Sequence, residues 1–199
     1  YLKPGELALV PAGAAARVGF AVPDGGATFF FRLPEALEIV GPMKLRLHVE
    51  LQGTTDAHLF VGVSKIEGGA NGADHRERAL PFEGAFGFGR DVVAHGWLRT
   101  AHRRVDPSRS EPHRPYLLGD RAEPLRAGEI APVEIEILPS ATSFARGDLL
   151  RLDVQGRWFW RRSMFFGMFP SAYAPSPSGT TVLHLGDVHD AHLLVPLVS

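Results

Sequence analysis

The sequence predicts an all-β domain, a jelly-roll β-sandwich of two antiparallel sheets joined by long loops. Three observations carry that reading. First, runs with a period of two and one apolar face recur. Leu45, Leu47, Val49 and Leu51 alternate with Lys44, Arg46, His48 and Glu50, and Val133, Ile135 and Ile137 alternate with Glu134 and Glu136. A strand with one buried face requires this alternation. Second, there is little sign of helix, and the 16 prolines fall mainly in proposed loops or at strand ends. Proline cannot donate to a ladder, so those are the places a sheet tolerates it. Third, about eight such strands with long, irregular connections suit a double-sheet jelly roll.

The elements follow in order. Residues 1–26 are rich in Gly, Ala and Pro and read as a lead-in with one short strand. Gly25-Gly26 signals a turn before a strand at Ala27–Leu33. Met43–Leu51 is the cleanest strand, and Gly53-Thr54-Thr55 turns the chain into another at His58–Ile66. Residues 68–90 are glycine-rich and read as a long loop, a length that is more often functional or mobile than merely connective. Val92–Arg104 is expected as a strand, and Asp106–Leu125 as a Pro- and Arg-rich excursion. The strand at Val133–Ile137 is followed by a turn-rich link through Pro139-Ser140 and Gly147-Asp148. Leu150, Leu152 and Val154 then alternate with Arg151, Asp153 and Gln155. An aromatic segment and terminal strands at Thr180–Leu185 and Ala191–Val198 complete the chain.

Bulk properties fit one domain. A compact chain of 199 residues buries about 70% of its unfolded surface, enough for a substantial core. The formal net charge is -1, so no strong field draws nucleic acid or an anionic membrane. With no cysteine there is no disulfide and no indication of redox compartment, although a cytoplasmic setting is favoured. No apolar run reaches the length of a membrane span, and the start does not read as a signal peptide. The chain opens on Tyr1 rather than Met, which suggests a piece cut from a longer protein.

Several stretches resemble one family in its own order. Pro124–Gly156 resembles its alternating C-terminal run, Gly41-Pro42 with LRLHVEL its opening strand, and Asp56–Val61 its paired-aspartate strand, with His58 in place of the second aspartate. Gly96-Trp97-Leu98-Arg99 with Ala101-His102-Arg103, and His184–Pro196, resemble two further segments. The family is the C-terminal domain of the X-Pro dipeptidyl-peptidase and cocaine-esterase-like (CocE/NonD) serine hydrolases. The resemblance implies a galactose-binding-domain-like jelly roll over residues 27–199, with residues 1–26 leading in from a missing upstream catalytic domain. That domain would be the chain's own partner, and a homo-oligomer is open.

The search for chemistry is mainly negative. None of the serines stands in the G-x-S-x-G elbow such hydrolases use, and there is no cysteine and no S-x-x-K pair. Acyl transfer needs a nucleophile as well as a base, so no catalytic residue is assigned, and no cofactor. His184, Asp187, His189, Asp190 and His192 form the densest ligand-like cluster. Alternating faces along extended strands need not bring them together, so they read as a turn between strands and no metal is assigned. Asp56 reads as a turn cap. Arg146-Gly147-Asp148 spells an adhesion tripeptide but sits where a hairpin needs glycine, and reads as a turn. Seven arginines between Arg99 and Arg126 are interleaved with Asp106, Glu111, Asp120 and Glu123, which cancels most of their field.

The strongest local anomaly is Trp158–Pro170. It packs Trp158, Phe159, Trp160, Met164, Phe165, Phe166, Met168 and Phe169 together with no period that sorts them to one face. Two readings stand. The segment is a core-covering loop, or it is a docking surface, since aromatics, methionine and arginine are enriched in interface centres. The resemblance implies the second: this domain would pack on the catalytic domain and help wall its substrate entrance. Two functions remain open. One is the non-catalytic accessory domain of an X-Pro dipeptidyl-peptidase, esterase or amidase. The other is an independent carbohydrate-binding module, with Trp97, Trp158 or Trp160 as stacking platforms.

Overall fold

A computed structural model describes residues 1–10, 13–66, 92–159 and 176–198. Among the described residues the chain is all β, with one short 3-10 turn at Thr100–His102. The strands are β1 (Leu2–Lys3), β2 (Glu6–Leu7), β3 (Ala16–Val22), β4 (Gly26–Arg32), β5 (Leu37–Gln52) and β6 (His58–Ile66). They continue as β7 (Val92–Arg99), β8 (Ala131–Phe144), β9 (Leu149–Gln155), β10 (Gly179–Leu185), β11 (His192–Leu194) and β12 (Leu197–Val198).

Hydrogen bonding runs in the order β1-β2-β4-β9-β6-β7-β8-β5-β10-β3, with β11 and β12 also paired to β5. Every pairing is antiparallel except the single parallel bridge between β2 and β4 at Glu6 and Phe30. β7 meets β8 through one pair only, Gly96 with Ile137. The ladder folds over at that crossing, so β1-β2-β4-β9-β6-β7 makes one layer of a sandwich and β8-β5-β10-β3 the other. The jelly-roll expectation is met.

Alternation puts one side of each layer into a shared core. Met43, Leu45, Leu47 and Val49 of β5 and Ile135 and Ile137 of β8 are fully buried. Leu59, Val61 and Val63 of β6 and Leu152 and Val154 of β9 meet them from the facing layer. Burial of each such side chain contributes about 1.5–3 kcal/mol, so this cluster is the main favourable term.

Two expectations about elements are corrected. Residues 1–26 carry three strands rather than one. β3 pairs along its whole length with β10, and Leu2, Leu7, Phe20 and Val22 lie in the common core. Small residues at the outward positions, Gly19 and Ala21, had thinned the alternation there. The expected turn at Pro139-Ser140 is instead a bulge inside β8. The register slips between Gly41 and Met43, where Leu138 and Pro139 of β8 oppose Pro42 alone of β5. The extra residue turns the strand over. Inward positions are odd up to Ile137 and even by Phe144, and Leu138 is thrown outward. Gly41 accommodates the slip at φ 124°, a conformation that favours glycine. The real turn is at 145–148. There Gly147 has φ 90°, and the Asp148 carboxylate accepts the Ala145 N–H at 2.7 Å. Within the adhesion-like tripeptide Asp148 is therefore a buried turn support, only 4% exposed, while Arg146 is exposed.

Candidate functional site

The outer faces of the two layers differ sharply. On the β8-β5-β10 face, charged side chains pair across the strands. Lys44 reaches Glu134 at 3.4 Å, Arg46 reaches Asp190 at 3.2 Å, and His184 meets Glu50 at 2.8 Å. Such partly exposed pairs add little stability each, but they make a water-compatible surface.

The outer face of β6-β7 is aromatic. Phe60 of β6 and His95 and Trp97 of β7 occupy outward positions, and Trp158, three residues beyond β9, lies edge-on across them. Its ring centroid is 5.6 Å from Phe60, 5.1 Å from His95 and 5.8 Å from Trp97. His95 stacks on Trp97 at 5.9 Å, and Phe159 extends the group from Trp158 at 6.0 Å. Edge-to-face contact sets the positive ring edge on a negative face, and each such pair adds about 0.5–1.5 kcal/mol beyond burial. Phe60 and Trp158 are buried, while Trp97 is 41% exposed at the border. Burial holds the His95 imidazole below its ordinary pKa, so this ring tends to stay neutral.

Local bonds fix where the chain leaves β9 and where it returns at Ser176. The Ser176 N–H donates to the Gly156 carbonyl at 2.9 Å, which draws the two ends of the intervening stretch together. Ser176 Oγ accepts the His58 N–H at 2.6 Å and donates to the His58 carbonyl at 2.9 Å, tying the return to the start of β6. A side chain at Gly156 would meet Val22 Cγ1 at 2.5 Å, so only glycine lets the chain leave β9 this closely. Trp158 and Phe159 are thus placed as an aromatic cluster, whereas Trp160, Met164, Phe165, Phe166, Met168 and Phe169 lie outside the described residues. The sequence reading had missed Phe60 and His95 as members. Both stand on strands whose other face is also apolar, which is the signal of a covered outer face.

The outer face of β9 is also not a solvent face. Asp153 is 6% exposed, and it accepts from Thr28 Oγ1 at 2.6 Å and pairs with Arg151 Nε at 2.7 Å.

The remaining candidates resolve into scaffold. Asp56 accepts from Arg99 Nε at 2.6 Å, and from Thr100 Oγ1 and the Ala101 N–H at 3.0 Å each. From the β5–β6 loop it therefore caps the distant 3-10 turn, whereas in its own turn Thr54 Oγ1 accepts the Asp56 N–H at 3.3 Å, so the turn-cap role holds but for another turn than expected. Burial pushes its carboxyl upward, but Arg99 and the other donors outweigh that and hold it below its ordinary pKa. The arginine strip is largely paired within the chain: Arg103 with Glu129, Arg104 with Asp120, Arg121 with Glu123. His184 and His189 lie close, and His48 joins them across the β5–β10 ladder. His192 turns away to the Asp190 carbonyl at 2.7 Å. Among the described residues no group of His, Asp and Glu is arranged to hold a metal ion.

A family model described as the X-Pro dipeptidyl-peptidase C-terminal non-catalytic domain matches residues 22–190. The chain belongs to that family. The domain is also similar to a solved CocE/NonD family hydrolase of Staphylococcus aureus. Identity is 28% and the TM-score 0.85, over 98% of this chain and 35% of that one. A second structure of that hydrolase gives 26% identity and a TM-score of 0.83, over 100% and 36%. An α-amino acid ester hydrolase shares the fold at 16% identity and a TM-score of 0.54, over 87% of this chain and 25% of that one. No curated protein matches the chain. The domain thus spans about a third of the hydrolases it resembles. Its motif residues described above, Asp56, Gly96, Gly147 and His184, serve turns, strand crossings and surface pairs rather than bond-breaking.

Proposed function

We propose that this domain is the C-terminal part of a larger serine hydrolase and docks on that enzyme's catalytic domain through its aromatic face, helping to shape the substrate entrance. The parent would cleave an acyl bond, as an X-Pro dipeptidyl-peptidase, an esterase or an amidase. Serine attack and an oxyanion-stabilised intermediate would be carried out by residues of the catalytic domain. Residues 1–26 would lead in from that domain.

One observation carries the reading. The Phe60–His95–Trp97–Trp158–Phe159 cluster stands on the outside of one layer, while the outside of the other is a ladder of ion pairs. Aromatic residues bordered by partly exposed rings are what an interface centre uses, and paired charges suit water. Against a sugar-binding module built on Trp158, that ring is only 9% exposed; the ring of this face open to a partner is Trp97, 41% exposed.

The test is reconstitution. The domain and the remainder of its hydrolase are produced separately, mixed, and binding is followed by calorimetry with wild-type and Trp97→Asp domain. A charge at the border of the docking face should weaken association at least tenfold and leave the fold intact by circular dichroism. Equal affinity, with Lys44→Glu on the opposite face weakening it instead, would reverse the assignment of faces.

A further inference from the structure

We propose that the β10–β11 turn, residues 186–191, is an acid-released latch on β1: when His189 of the turn, packed against His48 and His184, takes up a proton, the turn opens and its bond to β1 is lost. His48 and His184 are direct partners across the β5–β10 ladder. His189 folds back from the turn onto both, with ring centroids 5.1 Å from His48 and 5.3 Å from His184. Three imidazoles therefore share one small volume, and each added proton repels the others.

The closed turn holds the chain start. Gly186 at φ 70° and Asp187 at φ 49° bend it back, with the His189 N–H donating to the Gly186 carbonyl and the Ala191 N–H to the His189 carbonyl, both at 2.8 Å. The Ala191 carbonyl accepts the Leu2 N–H at 2.9 Å, and the Tyr1 ring lies 5.7 Å from that of His192. Opening the turn removes these bonds together, while β1 stays paired to β2 through Leu2–Leu7 and Lys3–Glu6.

The surrounding charges do not neutralise His189. β5 presents Arg46 and Glu50, β3 presents Arg17, the turn presents Asp187 and Asp190, and β11 presents His192. β1 adds Lys3. Of the carboxylates, Glu50 bonds His184 at 2.8 Å and Asp190 bonds His48 at 3.0 Å. Asp187 is the acid whose field favours charge on His189, and it does not prevail: burial first, then His48 and His184, hold this imidazole below its ordinary pKa. A depressed histidine pKa in the closed form means that the open form binds the proton more tightly. The closed turn is therefore most stable above about pH 6.5 and loses stability as pH falls through that value. Glu50 and Asp190 are held low, Glu50 by bonds from Gln52 and His184, and Asp190 by His48 and Arg46 against its own desolvation. Their loss of charge belongs to more acid solution. His95, also depressed, lies on the other outer face.

Nuclear magnetic resonance of this chain tests the latch. Exchange at the Leu2, His189 and Ala191 amides is compared at pH 7.5 and 5.5, corrected for intrinsic rates, with Leu47 as a core reference. Opening at the three amides should rise severalfold, bounded near tenfold for one proton taken up by an open form of pKa about 6.5. Leu47 should not follow, His189 should titrate below 6.5, and His189→Asn should remove the rise. A His189 that titrates at or above 6.5, unchanged exchange in the wild type, or the same rise in the variant would each overturn the proposal. If the variant does not fold, the wild-type titration decides.

Discussion

Replacing Gly96 by alanine should be disproportionately damaging for one methyl group. An added Cβ would sit 2.1 Å from the Glu136 carbonyl oxygen and 3.1 Å from the Ile137 Cα. Both are backbone atoms of a strand held on its far side by β5, where Glu136 pairs with Lys44, so they cannot yield singly. Relief requires β7 to lift from β8 at their one bridge. That forfeits a backbone hydrogen-bond contact of about 1 kcal/mol and opens the core beside Ile137 and Leu98. An overpacked core typically loses about 1–3 kcal/mol. Reduced entropy of the unfolded chain returns at most about 1 kcal/mol. The net loss is about 2–3 kcal/mol, a large share of the stability of an ordinary domain. In a chain of this size it lowers Tm by about 4–12 °C. Urea unfolding followed by tryptophan fluorescence measures it as a lower midpoint at constant slope. Gly19→Ala is the control. It is also a glycine in a strand, but its Cβ would meet Val182 and Thr180 at 3.8 and 3.9 Å, ordinary contact distances. Its expected change is within about 0.5–1 kcal/mol of zero, in either direction. Equal midpoints for wild type and Gly96→Ala would refute the steric reasoning, as would equal losses in the two variants.

Other expectations follow from the same geometry. Asp56→Asn keeps the shape but removes the charge facing Arg99 at 2.6 Å, and should cost about 1–3 kcal/mol in urea unfolding at pH 7. Because the Asp56 carboxyl is held low when folded, its stabilisation is full above the ordinary aspartate pKa of about 3.9 and fades as pH falls through the lower folded value. The variant should therefore lose less stability than wild type on acidification below pH 4. Trp158→Ala empties the centre of the aromatic cluster and should cost about 3–5 kcal/mol; a loss under 1 kcal/mol would mean that those rings do not pack on Trp158.

The strand core was legible wherever a period of two was uninterrupted. β5 and β9 were readable from Leu45–Leu51 and Leu150–Val154 because one apolar face is enough to specify a half-buried strand. β8 was readable only to Ile137, since an extra residue inverts the parity and Pro139-Ser140 then imitates a turn. β1 and β2 have two residues each, too short for any period to show. At the candidate site, the excess of aromatics after β9 marked Trp158 and Phe159. That Trp158 rests on Phe60 and His95 depends on how β9, β6 and β7 lie side by side, a long-range pairing no local pattern encodes. The same holds for His48. Only the β5–β10 register brings it to His184, over a hundred residues away in the chain.

Hydrogen exchange on the full-length protein that carries this domain, beside the isolated domain, tests docking most directly. Peptides holding Phe60, His95–Trp97 and Trp158–Phe159 should be markedly slower in the full-length protein, and those holding Lys44–Glu50 unchanged. Equal rates for the aromatic peptides in both samples would contradict docking through that face.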